Sequence, residues 1–392
     1  MAQLSIEAVI ADAVAMAGVA EPDLAPFREN LGLLIASINA EAGLRPEMLP
    51  GVQRQLAQPL RNQLQVSDWV RRYPEIRDEH IEAPIFVIGM PRSGTTYFQY
   101  LFDSEPSMRM LRYWEGQQPC PPPGFDPASV QPRIDACAAQ KSAIQGETLS
   151  GKLAQIHLSD ADGPEECLGM LDQTFANVGH YWTYRVPGYF ARCLDTVDMN
   201  AAYQHHRLVL QLLQWRGHKR RWVLKWPCHL VALPQLLATY PDASFVATHR
   251  DPVQALASNC SLAAMLRRGT SVTVDLHEIG QQMQAMIHTY LQRLVAFDQS
   301  FGGRIAHVDY STAVERPEAA VAQAFAALDI EITPAFQQSI VDWRRDNPPG
   351  KRGTHDYALS DYGLDAGQVA ADYAFYIDRF NVPAEQGAQH GG

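Results

Sequence analysis

The stretch Ile85-Phe86-Val87-Ile88-Gly89-Met90-Pro91-Arg92-Ser93-Gly94-Thr95-Thr96 decides the fold. Its first four residues form a continuous apolar run, the pattern of a strand buried on both faces of a parallel sheet. Gly89 opens a loop of small residues, and Tyr97 to Phe102 follow in a helical pattern. Strand, glycine-bearing loop and helix in that order aim the loop's N–H groups at one point. They form a nest for an anion, which the helix dipole reinforces. Thr95 and Thr96 add hydroxyl donors, and Arg92 adds a planar cationic fork suited to a tetrahedral oxyanion.

Working outward, three more short apolar runs occur. Trp222-Val223-Leu224 precedes Lys225, Phe245-Val246-Ala247 precedes Thr248-His249-Arg250, and Ile305-Ala306-His307-Val308 precedes Asp309. Helical segments over roughly 229–240 and 252–267 separate them, with Pro241 stopping the first. Strands alternating with helices at this spacing imply βαβ units. The expected fold is therefore α/β: a P-loop-type three-layer sandwich with a central, mostly parallel sheet flanked by helices. Residues 1–80 read as an N-terminal helical region that Pro22, Pro26, Pro46, Pro50 and Pro59 break into short helices. Residues 81–392 read as the α/β domain. Within it, 116–215 is a helical and loop insertion between the first and second strands that shapes an acceptor site.

Composition narrows the function. The 392-residue chain is 46% hydrophobic and 19% charged, with a formal net charge of −11. So acidic a chain is poorly suited to coating nucleic acid or an anionic membrane, and any anion site must gather its basic residues in one pocket. The six cysteines form no C-x-x-C pair, which argues against a zinc module or dense disulfides and fits buried apolar side chains in a reducing compartment. No run approaches the roughly 18 apolar residues of a membrane span. Met1 to Ala20 carries Glu7 and Asp12 inside its apolar stretch and reads as an amphipathic helix ending near Gly18, not a signal peptide. A cytoplasmic location is expected.

The loop departs from the nucleotide-hydrolase form G-x-x-x-x-G-K-[ST], because Thr95 stands where Lys would hold the β/γ-phosphates. The cation has moved inside the loop, to Arg92. A second constellation is Thr248-His249-Arg250-Asp251-Pro252 with Ser258. Arg250 sits where a strand ends, at the edge where ligands bind in open α/β sheets. Asp251 and Pro252 suit the N-cap and first position of a helix that carries Ser258. Arg250 and Ser258 could grip a second phosphate away from the loop.

Together these residues resemble sulfotransferases that use 3′-phosphoadenosine-5′-phosphosulfate (PAPS), in the broad bacterial group distinct from the cytosolic aryl and steroid enzymes. Pro91-Arg92-Ser93-Gly94-Thr95-Thr96 is similar to the family's 5′-phosphosulfate loop, and Arg250 with Ser258 to its 3′-phosphate motif. Trp222 to Leu230, Tyr240-Pro241-Asp242-Ala243 and Tyr357 to Leu364 also resemble family segments. Two departures are Arg92, where cytosolic members carry Lys, and Trp226, at a place more often held by a small residue. The resemblance implies PAPS as donor, adenosine 3′,5′-bisphosphate as product and no required metal. It implies that Arg92 neutralises the bridging and sulfuryl oxygens with help from Lys225. It also implies that Arg250 and Ser258, with the basic loop at Lys351 and Arg352, hold the 3′-phosphate.

An acceptor hydroxyl needs a base. Glu115, His157 and Glu166 are the candidates, and the sequence leaves the choice open. His229 is a candidate phosphosulfate contact, while adjacent His205 and His206 read as surface residues. The aromatics Trp114, Phe125, Phe175, Tyr181, Trp182, Tyr184, Tyr189 and Phe190 suit either an acceptor pocket or plain core. A small-molecule, lipid or glycan acceptor, sulfated on a hydroxyl or an amine, remains open, as does oligomeric state. Two other readings stand beside the sulfotransferase: a P-loop kinase or nucleotide hydrolase, and a non-catalytic nucleotide-binding adaptor.

Overall fold

A computed structural model describes residues 3–19, 25–144, 160–347 and 358–385. At its centre are five strands: β1 (Ile85–Gly89), β2 (Met108–Met110), β3 (Arg221–Lys225), β4 (Ser244–His249) and β5 (Ile305–Asp309). They lie in the order β2-β3-β1-β4-β5, and every neighbouring pair is parallel. The expected α/β sandwich is the fold found. The apolar run of β1 accounts for its central place. Phe86 and Ile88 enter one core with Trp222, Leu224 and Phe245, while Ile85 and Val87 enter another with Phe98, Val223 and Val246. Alternate side chains of one strand thus feed two cores, and both faces of the sheet are covered.

The strand β2 leaves no legible mark in the sequence. Its three residues pair at the sheet edge with Arg221 to Val223, too short a run for a periodic signal. The helical insertion consequently follows β2 and leads into β3, rather than separating the first strand from the second. Pro59 also behaves differently from expectation. It lies inside a continuous 24-residue helix, Leu49–Arg72, where packing against the helix Ile6–Ala17 outweighs the local propensity. That first helix ends as expected, on Gly18 in the left-handed conformation at φ +64°.

His205 and His206 are buried, not on the surface. They point about 100° apart on the helix Met199–Gln214, but that helix is packed on several sides at once. Of the cysteines, Cys120 is half-buried and the other five are buried, all as free thiols. Among the described residues, no helix is long and apolar enough to cross a membrane.

Near the C-terminus the helix Ala374–Phe380 packs back onto the end of β4. The Phe380 ring stacks on His249 at 4.3 Å, Tyr376 Oη lies 3.1 Å from His249 Nδ1, and His249 Nε2 shares a 2.9 Å hydrogen bond with His307 Nδ1. His307 in turn faces Asp298, which also pairs with Arg379. Burial, and then His307 beside it, pushes the His249 imidazole down to about 3 from its ordinary 6.5. The folded protein therefore refuses a proton that the unfolded chain accepts, and this group's contribution to stability falls as pH drops from about 6.5 toward 3. The His249→Gln variant should lose thermal stability less steeply between about pH 7 and pH 4 than the parent. Equal acid slopes in the two melting series would contradict this.

Candidate functional site

The strand order reverses at β1, with β3 on one side and β4 on the other. The C-terminal ends of these three strands lie side by side there, the place where ligands enter such sheets. The turn after β1 is tightly determined. Gly89 has φ +146°, and a Cβ there would lie 2.5 Å from Thr248 Oγ1 and 2.6 Å from the Thr248 carbonyl oxygen. Gly94 has φ +86°, and a Cβ there would lie 2.6 Å from the Tyr310 ring. Arg92 between them also has a positive φ, +73°, a conformation that costs a non-glycine residue on the order of 1 kcal/mol.

The clamp that holds Arg92 in this state comes from β4 and the helix Pro252–Thr270. Arg250 Nη1 donates to the Arg92 carbonyl at 2.8 Å, and Arg92 Nε donates to Ser258 Oγ at 3.1 Å. Asn259, fully buried, donates to the Pro91 carbonyl at 2.9 Å. Asp251 caps this helix by accepting from Val253 N, as its sequence position implied. The two constellations, far apart in the chain, thus meet side chain to side chain. Ser93 is buried, donating to the Met90 carbonyl at 2.7 Å and lying 2.7 Å from Thr248 Oγ1. Its hydroxyl shapes the turn. The N–H groups opening the helix Thr95–Phe102 have no acceptor within the helix and form the anion-facing end.

Lys225, at the end of β3, has no exposed side-chain surface. Its Nζ lies 3.0 Å from Thr96 Oγ1 and 2.5 Å from Glu166 Oε1. Glu166 is placed by the backbone around it: Cys167 N donates to the Lys225 carbonyl at 2.9 Å, and Gln99 Nε2 donates to the Glu165 carbonyl at 2.7 Å. On the other side, Arg250 makes a two-pronged pair with Glu385, at 2.7 Å from Nε and 2.9 Å from Nη2. Glu385 N donates to Asp251 Oδ2 at 2.9 Å, and the Arg250 guanidinium lies 4.3 Å from the centre of the Tyr310 ring. A carboxylate of the C-terminal segment therefore sits on the arginine expected to take a phosphate.

Glu115 lies differently. Its side chain is only 3% exposed, Oε1 pairs with Arg109 at 2.5 Å, and Oε2 accepts from the Arg112 N–H at 3.0 Å. Both oxygens are thus engaged, the second in capping the helix Tyr113–Gln117. His229 is fully buried, with Tyr203 Oη 2.9 Å from Nδ1 and Trp226 edge-on to its ring. Burial, with His206 and Lys225 nearby, holds its imidazole well below the ordinary value and so neutral. His157, Lys351 and Arg352 lie outside the described residues. Seven of the eight aromatics singled out in the sequence are buried in cores, and only Phe125, 39% exposed, reaches solvent. Among the described residues, one group brings metal-ligand donors together: Cys167, His206 and His229.

Four residues of the site have no role assigned to them by the sequence. Thr248 and Tyr310 both follow from one signal, position at or just after a strand's C-terminal end. Asn259 adjoins Ser258 but carries no mark of its own, and Glu385 is a single acidic residue in a tail, with no local pattern at all.

A family model described as "Sulfotransferase family" matches residues 84–334, beginning where the sequence pattern changes from helices to strands. The sulfotransferase STF9 from Mycobacterium avium is similar over its whole length, at 28% identity and a TM-score of 0.89, covering 97% of this chain and 98% of that one. The sulfotransferase STF1 from Mycobacterium tuberculosis H37Rv is 29% identical with a TM-score of 0.83, covering 95% and 99%. No curated protein sequence matches significantly.

The turn's geometry yields a stability test. Gly94→Ala places a Cβ against Tyr310 in a left-handed backbone and should cost more than about 1 kcal/mol. Denaturant melts of the two proteins check this, and a variant as stable as the parent would show that the turn is not held as described.

Proposed function

The chain belongs to the sulfotransferase family, and on that premise we propose that it transfers a sulfuryl group from PAPS to a hydroxyl of an acceptor, releasing adenosine 3′,5′-bisphosphate. The observation that carries this reading is the contact of Arg92 with Ser258 and Arg250, which brings the second constellation directly beside the β1 loop. The 5′-phosphosulfate faces the N–H groups of Gly94 to Thr96, with Pro91, Arg92 and Ser93 shaping the turn. The 3′-phosphate lies on Arg250 and Ser258; Lys351 and Arg352, outside the described residues, are its further proposed partners on the family resemblance. A nucleotide hydrolase accounts for the β1 loop but gives Arg250 and Ser258 no work.

Transfer is in line. The acceptor oxygen forms a bond to sulfur as the bond from sulfur to the bridging oxygen breaks, and the electron pair stays on the departing 5′-phosphate. Charge therefore grows on the bridging oxygen, and in this reading Arg92 and the loop N–H groups neutralise it. Lys225 stands next to Thr96 and adds a fixed positive charge in a dry setting. Glu166 is the base favoured by the geometry. Its side chain is 17% exposed, and its Oε1 lies 2.5 Å from Lys225 Nζ beside the proposed transfer site. Glu115 has both oxygens engaged, which supports a structural part for it.

Glu385 adds a consequence. A 3′-phosphate must displace its carboxylate from Arg250, so the tail competes with the donor.

Three outcomes are expected. Adenosine 3′,5′-bisphosphate at 100 times its Kd should stabilise the protein by about 2.7 kcal/mol in thermal-shift titration, with Mg-ATP giving far less; the reverse order would favour the hydrolase reading. Arg250→Ala should weaken bisphosphate binding by about 2 kcal/mol, roughly 30-fold, while Glu385→Gln should tighten it several-fold. Calorimetry reads both, and unchanged affinity in Glu385→Gln would remove the tail from the site. Glu166→Gln should lower kcat by about 10²- to 10⁴-fold while retaining nucleotide binding, whereas Glu115→Gln should lower the melting temperature more than kcat. Turnover undiminished in Glu166→Gln would rule out Glu166 as the base.

A further inference from the structure

Behind the Lys225–Glu166 pair lies a group that the proposed reaction does not use. Cys167 precedes the short helix Leu168–Asp172, His206 comes from the helix Met199–Gln214, and His229 from the turn Pro227–Val231. All three are fully buried. One ligand atom from each lies within 4.8 Å of the other two.

The hydrogen bonding of the two imidazoles is one-sided. Tyr240 Oη lies 2.7 Å from His206 Nδ1, and Tyr203 Oη lies 2.9 Å from His229 Nδ1. The opposite nitrogens, His206 Nε2 and His229 Nε2, are buried without a hydrogen-bond partner. A buried polar nitrogen left unpaired costs about 1–3 kcal/mol, so two in one cluster call for a common partner. Metal-ligating histidines have this arrangement as a rule: one ring nitrogen is fixed by an outer partner, which leaves the other with a lone pair for the ion.

We propose that Cys167, His206 and His229 form a site for one soft metal ion, with monovalent copper the ion that best balances it. One thiolate and two imidazoles are donors that copper(I) and zinc(II) both accept. Charge decides between them. Copper(I) with one thiolate is neutral, whereas zinc(II) leaves a net positive charge in a core whose neighbouring carboxylate, Glu166, is already paired with Lys225. Binding releases the thiol proton of Cys167 and forms a copper–sulfur bond, with no change of oxidation state. Because Cys167 N also donates to the Lys225 carbonyl, the ion pins the backbone that carries Glu166 and Lys225. Its role is structural, and it stands whether or not the chain transfers sulfuryl groups.

The test is metal content. The full chain is produced in copper-supplemented and in zinc-supplemented medium, purified under reducing conditions, and assayed for metal per chain and melting temperature before and after removal of the metal. About one copper per chain is expected, with a higher melting temperature than the metal-free protein, and Cys167→Ser should lose the copper. Should that variant fail to fold, X-ray absorption at the copper edge of the parent serves instead, with one sulfur and two nitrogen neighbours expected. Stoichiometric zinc in place of copper would overturn the monovalent assignment. Neither metal retained, or copper with oxygen neighbours alone, would overturn the site and leave a trapped water bridging the two rings.

Discussion

The turn at the end of β1 holds the site together. Arg92 and Gly94 both take positive φ there, and only one of them is a glycine. The strain at Arg92 persists because neighbouring elements over-determine it: Arg250 grips its carbonyl, Ser258 its guanidinium and Asn259 the preceding carbonyl. Each of those partners stands at or beyond the end of β4, which pairs with β1 along its full length. Register between two strands thereby fixes the distance between the two groups proposed to bind the donor's ends. Were β4 to slip by one residue, every side chain would change face and the clamp would come apart.

Charge at the site is balanced from within. The chain is acidic overall, yet Arg92, Lys225 and Arg250 converge on one edge of the sheet. Two of these cations carry an internal carboxylate, Glu166 on Lys225 and Glu385 on Arg250. Breaking a buried pair by removing one partner is costly, because the charge left behind is uncompensated. The Glu166 pair is the more enclosed. Glu385 comes from the end of the described chain and is 28% exposed, so an incoming dianion can replace it without stranding the arginine.

The central part of this arrangement is legible in the sequence because β1 is buried on both faces. A four-residue apolar run that breaks into small residues and then a helical period fits little besides a strand, a turn and a helix. Asp251-Pro252 likewise marks the helix that carries Ser258. What stays hidden is of two kinds. Short edge structure such as β2 leaves no period to detect. Long-range partnerships leave no local trace: nothing near Glu166 points to Lys225, and nothing near Glu385 points to Arg250. His206 is obscured for a related reason. Adjacent histidines on a helix cannot share one face, but a helix packed on several sides buries both. Pro59 is the opposite case, a strong local signal that tertiary packing overrides.

The central claim is that one pocket, bounded by the β1 turn and Arg250, holds both ends of a doubly phosphorylated adenosine. A crystal structure with adenosine 3′,5′-bisphosphate tests it most directly. The 5′-phosphate should lie on the N–H groups of Gly94 to Thr96 and the 3′-phosphate on Arg250 and Ser258, with Glu385 moved aside. A nucleotide bound elsewhere, with Glu385 still paired to Arg250 and the turn facing solvent, would contradict the account.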